Sequence, residues 1–341
     1  MLKNAIVILN WNGIKYLKQF LKNTIELSLN SDTEIYVADN GSTDESVQWI
    51  EDNFKMVHVI KLDKNYGFAE GYNRALSQIS AEYYTLLNSD IEVTPGWMEK
   101  LISFMDSHKE VASAQPKIHA YHNKEYFEYA GAAGGFLDKL GYPVCRGRVF
   151  YYTETDKGYY DTPWEIFWAT GACCIVRSEA WKRCGGFDGD FFAHMEEIDL
   201  CWRFHRAGYK VALVNNVVIY HIGGGTLPYN SPFKTYLNFR NGLFLLYKNL
   251  PDENLKRIMY KRKILDGVAA CFFFVKFQFR SSVAVIKAYR DFYRDIEKLK
   301  TKREQVKSLG DNDVKDLIVQ KSIVFQFYIR RKKTFKEIVG L

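Results

Sequence analysis

The first hundred residues alternate between short apolar segments and longer segments with apolar residues at helical spacing. The apolar segments predict four β-strands, at residues 5–9, 34–38, 57–60 and 83–87. Between them, the spacing predicts one helix from Leu17 to Ile25, a second that starts near residues 42–45 and a third over 67–79. Continuously apolar strands that alternate with helices are typical of a parallel sheet covered on both faces. The pattern therefore predicts an α/β, Rossmann-like fold with a mostly parallel sheet.

Polar residues follow each of the four predicted strands. They are Asn10-Trp11-Asn12, Asp39-Asn40-Gly41, Lys64-Asn65-Tyr66-Gly67 and Asn88-Ser89-Asp90. Any one of these stretches alone is typical of a turn, because short polar side chains bond the local backbone. In an open parallel sheet, however, ligands bind beyond the carboxyl ends of the strands, so four such ends predict one site. Neither a GxGxxG nor a Walker A loop follows the first strand, so we expect side chains to bind a nucleotide there.

The pattern changes near residue 110 and again near residue 230. Residues 130–141 are Gly-rich and predict a flexible loop, whereas residues 165–181 indicate a strand around Gly171 that leads into a helix. We expect one domain over 1–230, with a nucleotide-binding half at about 1–110 and a second half at about 111–230. Residues 231–341 predict a basic, aromatic-rich helical region. Its most apolar stretch, 267–279, is interrupted by Lys276 and is too short to span a bilayer.

The net charge of +7 is unevenly distributed. Residues 1–230 hold 22 Lys and Arg against 29 Asp and Glu, a net charge of −7, whereas residues 231–341 hold 25 against 11, a net charge of +14. This asymmetry favours an anionic partner for the second region. An anionic membrane surface fits better than nucleic acid, because no recognition motif accompanies the charge. Packing of the helices on the catalytic domain or on a second subunit, as a homo-oligomer, is an equally good interpretation of the apolar residues.

The N-terminus and the cysteines bear on the cellular compartment. The apolar run at the start of the chain passes directly into polar residues, unlike a signal peptide, and no window of 18 residues is uncharged and apolar. The six cysteines form no CxxC pair. We therefore expect a cytoplasmic protein, at most peripheral on the inner face of the membrane, with six reduced thiols in its core.

Three carboxylates lie within four positions at residues 196–199. Glu196 and Asp199 share a helix face, whereas Glu197 points about 100° away. Carboxylates that repel one another beside aromatic residues have raised pKa values, which suits a general base. The alternative is that these acids favour the start of a helix and pair with Arg203 and Arg206. This stretch alone supports both interpretations equally.

Seven motifs in chain order resemble those of bacterial family-2 glycosyltransferases, particularly rhamnosyltransferases. The matching stretches are "VILNWNG", "VADNGSTD", "NYGFAEGYN", "LLNSD", "GGFDGDFF", "EEIDLCWR" and "HIGGG". The resemblance implies the GT-A fold, with a catalytic domain over 1–230 in which the half at about 1–110 binds the nucleotide and the half at about 111–230 binds the acceptor. It also implies an inverting hexosyl transfer that requires Mn²⁺ or Mg²⁺. The donor would be a nucleotide diphosphate-sugar, such as dTDP-rhamnose or a UDP-sugar. The acceptor would be a saccharide or lipid-linked saccharide in cell-surface polysaccharide synthesis.

The same resemblance implies roles for individual residues. Asp90, the last acid of a DxD-like stretch, would hold the metal, and His221 would complete the metal site. Glu197 would be the base, in the pair with Glu196. Asp199 completes the predicted catalytic group. The positions implied to contact the nucleotide are Asn10, Asn12, Asp39, Asn65, Gly67, Asn73, Asn88 and Ser89.

Two positions depart from the family pattern. Asn88 stands where the first Asp of DxD is usual, which leaves fewer charges at the metal. Glu197 stands where Asp is usual, which places the carboxylate one methylene further out. Two other functions remain open: a sugar nucleotidyltransferase and a non-catalytic, membrane-associated assembly subunit. The absence of a Gly- and Lys-rich triphosphate loop disfavours the first, and the retained acids disfavour the second.

Overall fold

The computed structural model describes residues 2–223, 231–312 and 314–340. The later part of the "HIGGG" stretch, from Gly224 onward, therefore lies outside the described residues. The strands, in chain order, are β1 (Leu2–Asn10), β2 (Thr33–Asn40), β3 (His58–Leu62), β4 (Ala81–Leu87), β5 (Ile91–Glu92), β6 (Val111–Ala120), β7 (Asn123–Phe127), β8 (Gly135–Asp138), β9 (Pro143–Cys145), β10 (Arg148–Val149), β11 (Tyr152–Thr153), β12 (Glu165–Ile166), β13 (Cys173–Arg177), β14 (Lys210–His221) and β15 (Ile318–Val319).

The α-helices lie between the strands in the first part of the chain and make up most of the described residues after β14. They are α1 (Ile14–Ser28), α2 (Ser46–Asn53), α3 (Gly67–Leu76), α4 (Trp97–Ser107), α5 (Ser178–Arg183), α6 (Glu196–Arg206), α7 (Pro232–Asn249), α8 (Asp252–Val275), α9 (Phe279–Arg294), α10 (Ile296–Lys307) and α11 (Phe335–Val339).

A mostly parallel sheet forms the centre of the molecule, as predicted. Its strand order is β12-β14-β6-β13-β4-β1-β2-β3. The neighbours β4-β1, β1-β2, β2-β3 and β6-β14 are parallel, whereas β13 runs antiparallel between β4 and β6. A second sheet has the order β11-β10-β9-β8-β15. The polar ends of β1, β2 and β4 consequently lie along one edge of the main sheet.

Helices cover both faces of this sheet because successive side chains on its strands point in opposite directions. Val7 of β1 lies in a core with Tyr72 of α3. Its neighbour Ile6 lies in the opposite core with Leu17 of α1 and Leu101 of α4. Both cores are fully buried at these positions. The sheet therefore holds the strand ends rigidly, and only its edges are free to carry a site.

The Gly-rich residues 130–141 are not the flexible loop that was predicted. Residues 135–138 form β8, and all four are buried. A Cβ on Gly135 would lie 1.9 Å from the ring of Trp168, so only glycine permits this contact. The indole N–H of Trp168 donates to the carbonyl of Phe136 at 3.0 Å. The glycines here serve close packing rather than mobility.

The region after residue 231 is helical, as predicted, and packs on the rest of the protein. Helix α7 contacts α6, α9 and α10, and α8 and α9 form an antiparallel pair. None of the helices in the described part of the chain is long and apolar enough to cross a bilayer. The chain then returns to the second sheet, where Ile318 and Val319 pair with Leu137 and Asp138 of β8.

The prediction of six core thiols is wrong at one position. Five cysteines are buried, but Cys271 on α8 is exposed. Its apolar neighbours in the sequence suggested burial, yet several of them face outward as well.

Candidate active site

Hydrogen bonds among polar side chains join the ends of β1 and β2. Asn10 and Asp39 are in register across these strands. The amide of Asn10 donates to Asp39 Oδ1 at 3.1 Å, and the backbone N–H of Ser42 donates to Asp39 Oδ2 at 3.0 Å. Asn12 Oδ1 accepts from the backbone N–H of Thr43 at 2.7 Å. Asn10 Oδ1 is buried without a partner, so this edge retains an unused acceptor.

A second network fixes the connection into α3. The amide of Asn40 donates to Asn65 Oδ1 at 3.1 Å, and its oxygen accepts from the backbone N–H of Tyr66 at 3.0 Å. The backbone N–H of Gly67 donates to Asn65 Oδ1 at 2.8 Å. Gly67 has a φ of 78°, and a Cβ there would lie 2.5 Å from the ring of Phe192. Asn65 therefore positions a glycine that must remain a glycine.

The stretch after β4 meets the same edge. A Cβ on Gly13 would lie 2.4 Å from Asn10 Oδ1 and 3.5 Å from Ser89 Oγ, so both side chains border Gly13. The backbone N–H of Asn88 donates to the carbonyl of Ala172 at 2.8 Å. The structure thus brings Asn88 and Ser89 beside the end of β1, as expected for one shared site.

Asp90 and His221 are in direct contact, although 131 residues separate them in the chain. His221 Nε2 lies 3.1 Å from Asp90 Oδ1, and His221 Nδ1 lies 3.0 Å from Glu128 Oε2. All three side chains are buried. Burial alone lowers the pKa of His221, but the two carboxylates outweigh it and raise the pKa to about 10. Burial raises the pKa of Asp90, yet the charge of His221 holds that pKa below its ordinary value.

This pair could hold a divalent cation that keeps open positions once Nε2 of His221 has lost its proton, because only a neutral imidazole binds a metal. Neighbouring ligands of an octahedral ion with bonds of about 2.1 Å lie about 3 Å apart, close to the distance between Nε2 and Oδ1. Glu128 on the other ring nitrogen is the partner that metal-binding histidines commonly have. Within the described residues, no cluster of three or more His, Cys, Asp or Glu could hold a metal. A diphosphate and water would therefore supply the remaining ligands, as is usual for Mg²⁺.

Glu197 lies across a short loop from the end of β4. A Cβ on Gly171 would lie 4.0 Å from Glu197 Cβ, and the next residue, Ala172, accepts the hydrogen bond from Asn88. Glu197 is partly exposed, but its Oε2 is buried and has no hydrogen-bond partner among the described residues. Burial raises the pKa of Glu197 to about 7. Burial also raises the pKa of Glu196 well above its ordinary value, and the charge of Glu197 adds to that effect.

Asp199 has the contacts of a structural residue. It is fully buried, and Oδ2 lies 2.9 Å from Arg203 Nη2 and 3.0 Å from Lys248 Nζ. Its Oδ1 accepts from the amide of Asn249 at 2.8 Å. Arg206 lies instead near Asp311, at 3.9 Å. The helix-pairing alternative thus describes Asp199 and Arg203, whereas the unpaired acids are Glu196 and Glu197.

Asn73 also contacts the protein rather than open space. Its amide donates to the carbonyl of Phe187 at 2.8 Å, and its oxygen accepts from the backbone N–H of Phe187 at 3.0 Å. Both ends of the side chain hold the segment that leads to α6. The expected nucleotide contact of Asn73 therefore remains a prediction that its hydrogen bonds do not favour.

The loop before α6 is strained and is clamped by α7. Phe192, His194 and Met195 have φ values of 64°, 70° and 75°, which are unusual for residues other than glycine. The amide of Asn241 donates to the carbonyls of Phe191, Ala193 and His194 at 2.9, 2.9 and 2.7 Å. Such strain persists only where surrounding structure imposes it. Helix α7 therefore sets where α6 begins, and with it the position of Glu197.

The sequence analysis missed Glu128 and Asn241. Glu128 lies 93 residues before His221 and belongs to none of the motifs. Asn241 lies in a helix that the sequence marked only as basic and aromatic. The available signal in the sequence was the pair Asn241-Gly242, two residues of low helix propensity in the middle of the predicted helix; both are buried in α7.

Solved structures with this fold are glycosyltransferases. The structure of residues 1–349 of TarS from S. aureus, in complex with UDP-GlcNAc, has a TM-score of 0.57. The two sequences are 16% identical, and the structural match covers 97% of this chain and 92% of the TarS chain. The mannosyltransferase PcManGT from Pyrobaculum calidifontis, in complex with GDP-Man and Mn²⁺, has a TM-score of 0.53 and 12% identity. It covers 86% of this chain and 87% of that chain. The GT-A fold is therefore confirmed.

The chain belongs to glycosyl transferase family 2, whose model matches residues 5–185. A curated relative is the N-acetylglucosaminyl-diphospho-decaprenol L-rhamnosyltransferase of Mycobacterium tuberculosis (strain CDC 1551 / Oshkosh). The aligned length is 249 residues at 23% identity, and the alignment covers 63% of this chain and 75% of the relative. The protein is thus a glycosyltransferase of glycan or polysaccharide biosynthesis, as the motifs indicated.

Proposed function

We propose that this enzyme transfers a hexosyl group, with inversion, from a nucleotide diphosphate-sugar to a saccharide or lipid-linked saccharide. The observation that carries the proposal is a pair of carboxylates near the loop at residues 171–172 whose pKa values are shifted in opposite directions. Asp90 has a lowered pKa beside His221, whereas Glu197 has a raised pKa and an unpartnered oxygen. One acid is suited to remain charged at a metal, and the other is suited to take a proton.

Asp90 and His221 would hold Mn²⁺ or Mg²⁺ on the diphosphate. Their spacing and the support from Glu128 fit such an ion, and PcManGT, which shares the fold, was solved with Mn²⁺. When bound, the ion neutralises the negative charge that develops on the departing diphosphate. Asn88, whose amide nitrogen lies 3.5 Å from His221 Nε2, replaces the usual first acid without adding charge.

Glu197 would accept the proton of the acceptor hydroxyl at its carboxylate. A base with a pKa near 7 is deprotonated often enough at neutral pH and still holds a proton well. Inversion requires the hydroxyl to approach from the side opposite the diphosphate. Glu197 and Asp90 come from separate elements, and Glu197 and the stretch that carries Asp90 both approach the loop at residues 171–172, which supports this division of roles.

The nucleoside would lie over the ends of β1 and β2. Asp39 would accept the N–H of a pyrimidine base, since each of its oxygens has further lone pairs beyond the bonds from Asn10 and Ser42. Asn12 and Asn65 would border the ribose. A pyrimidine base suits dTDP-rhamnose or a UDP-sugar, and the rhamnosyltransferase relative favours testing dTDP-rhamnose first.

The direct test is release of nucleoside diphosphate from a panel of nucleotide sugars. The panel contains dTDP-rhamnose, UDP-glucose, UDP-GlcNAc and GDP-mannose, each with Mn²⁺, with Mg²⁺ and with a chelator. We expect turnover of one pyrimidine donor that depends on the metal. Release from none of them, together with no metal-dependent binding, would favour the non-catalytic assembly subunit. Formation of a nucleotide sugar from a nucleoside triphosphate would instead show a nucleotidyltransferase.

A further inference from the structure

Helices α8 and α9 each carry an exposed apolar stripe. On α8, large apolar side chains are exposed at positions that follow one another by about one turn: Tyr260, Ile264, Val268, Phe272 and Val275. On α9, the exposed set is Phe279, Val283, Ile286 and Tyr293. Positions three and four residues apart share a helix face. Each helix therefore presents an apolar face to the outside, interrupted on α9 by the exposed Arg290, while its other face packs inward.

The turn between the two helices is the most apolar part of this surface. Phe274, Val275 and Phe277 are 60%, 70% and 82% exposed. Phe277 has a φ of 60°, in the left-handed region that usually favours glycine. The rings of Phe274 and Phe279 are 5.1 Å apart, so the aromatic residues at this turn form a cluster. A contiguous exposed patch of this kind marks a site of interaction.

The charges around the patch are almost all positive. Between residues 254 and 290 the only acid is Asp266, which is buried and accepts from Tyr142 and Tyr289 at 3.1 and 2.9 Å. Seven exposed basic residues on this segment have no carboxylate partner within the described chain: Lys256, Arg257, Lys261, Lys263, Lys276, Arg280 and Lys287. Lys261 and Lys263 flank the stripe on α8, and Lys276 and Arg280 flank the aromatic turn.

One helix, α7, separates this surface from the strained loop before α6. Tyr236 and Leu237 of α7 pack against Ala284 and Ala288 of α9 on one side. On the other side, Phe192 and Ala193 of the loop before α6 pack against the same cluster. The apolar hairpin is thus connected, through α7, to the segment that positions Glu197.

We propose that the α8–α9 hairpin docks on the surface of an anionic lipid bilayer. An apolar face with basic residues at its borders has the composition of an interfacial helix. A second copy of the chain fits less well, because a two-fold dimer would place the seven unpaired cations opposite the same seven cations. The proposal concerns a surface outside the active site and does not depend on the proposed donor or acceptor.

The test is flotation of the full chain with vesicles of phosphatidylcholine alone or with about 30% phosphatidylglycerol, at about 50 mM and about 500 mM salt. We expect binding to the anionic vesicles at low salt and much less at high salt. Replacement of both Phe274 and Phe277 by Ser should lower the partition coefficient by at least about tenfold. Replacement of both Lys276 and Arg280 by Glu should lower it by at least about 25-fold.

Matched controls come from exposed residues elsewhere. Tyr151→Ser with Tyr159→Ser removes two exposed aromatic side chains, and Lys18→Glu with Lys157→Glu reverses two exposed charges that have no ion pair. These variants should bind vesicles as the wild type does, and all variants should unfold at similar temperatures. Equal binding to neutral vesicles, absence of binding at low salt, or unchanged binding of the Phe274/Phe277 variant would overturn the proposal. So would a dimer in sedimentation that this variant breaks while vesicle binding is retained.

Discussion

At the scale of single residues, the environment of Glu197 decides its chemistry. Its Oε2 is buried without a partner, and burial raises its pKa to about 7. We expect Glu197→Gln to lower kcat by about 10²- to 10⁴-fold, because the amide cannot accept the proton. Binding of the donor should be unchanged, as measured by calorimetry with the nucleoside diphosphate and Mn²⁺. Glu196→Gln is the matched control; a dead Glu196 variant beside an active Glu197 variant would assign the base to Glu196.

The raised pKa of Glu197 also predicts how activity depends on pH. The base must be ionised, so kcat should fall about tenfold per pH unit well below pH 7 and should level off above it. The contribution of Glu197 to the free energy of unfolding depends on pH in the opposite direction. The folded state binds more protons than the unfolded state between the ordinary pKa of 4.5 and about 7, so this contribution is present below pH 4.5 and is lost as pH rises through about 7. A pH profile of kcat that is flat from pH 5 to pH 8 would contradict the assignment.

The contact between His221 and Glu128 predicts how a substitution at Glu128 changes the affinity of the proposed metal site for Mn²⁺. Glu128→Gln should weaken Mn²⁺ binding by about 10- to 100-fold, because the carboxylate orients the imidazole and increases its basicity. Asp90→Ala should abolish metal-dependent binding of nucleoside diphosphate. Titration of Mn²⁺ in the presence of UDP or dTDP measures both effects. Glu125→Gln, close in sequence but exposed, serves as the control. Wild-type Mn²⁺ affinity in the Asp90 variant would show that the ion binds elsewhere.

At the scale of elements, α7 supports the strained loop before α6, the helix that carries Glu197. Asn241→Ala removes donors to three backbone carbonyls of a strained segment, so we expect a loss of about 1–3 kcal/mol in the free energy of unfolding. If the clamp also positions Glu197, kcat should fall more than the KM for the donor changes. Urea denaturation and steady-state kinetics measure these two quantities.

Asn238→Ala is the control for this prediction, since Asn238 lies on the same helix and makes no side-chain hydrogen bond in the described structure. If both variants lose the same activity, the effect belongs to the helix in general rather than to the clamp.

The elements near the N-terminus could be predicted because their signals are local. The apolar strands and the polar residues at their ends follow from the sequence, although α2 begins at Ser46 and α3 ends at Leu76, three residues before the prediction. Contacts between distant residues could not be predicted. Glu128 reaches His221, and Lys248 reaches Asp199, only because strands and helices cross in the folded chain. The Gly-rich β8 was mistaken for a loop because the partner that requires glycine, Trp168, lies 33 residues further on.

At the scale of the whole molecule, the charge asymmetry has two separate causes. Lys248 and Lys302 of the basic region pair with Asp188 of the acidic region, and Lys298 and Lys302 pair with Asp190. These cations hold the helices against the catalytic domain. The unpaired cations of the α8–α9 hairpin remain at the surface. The basic residues behind the net charge of +14 therefore serve partly in ion pairs with residues 1–230 and partly at the border of the proposed bilayer surface.

The pairing of β15 with β8 makes assembly of the second sheet depend on very late residues. Ile318 pairs with Leu137, and the backbone N–H of Ile323 donates to the buried Asp138 at 2.9 Å. During translation, the edge of β8 that pairs with β15 stays open until about 180 further residues have been made. An open edge of this kind is a template for pairing with another chain. In a shortened protein that ends after α10, this edge of β8 would have no β15 to pair with. Such a protein would be prone to aggregate even though the loop before α6 and Glu197 are present.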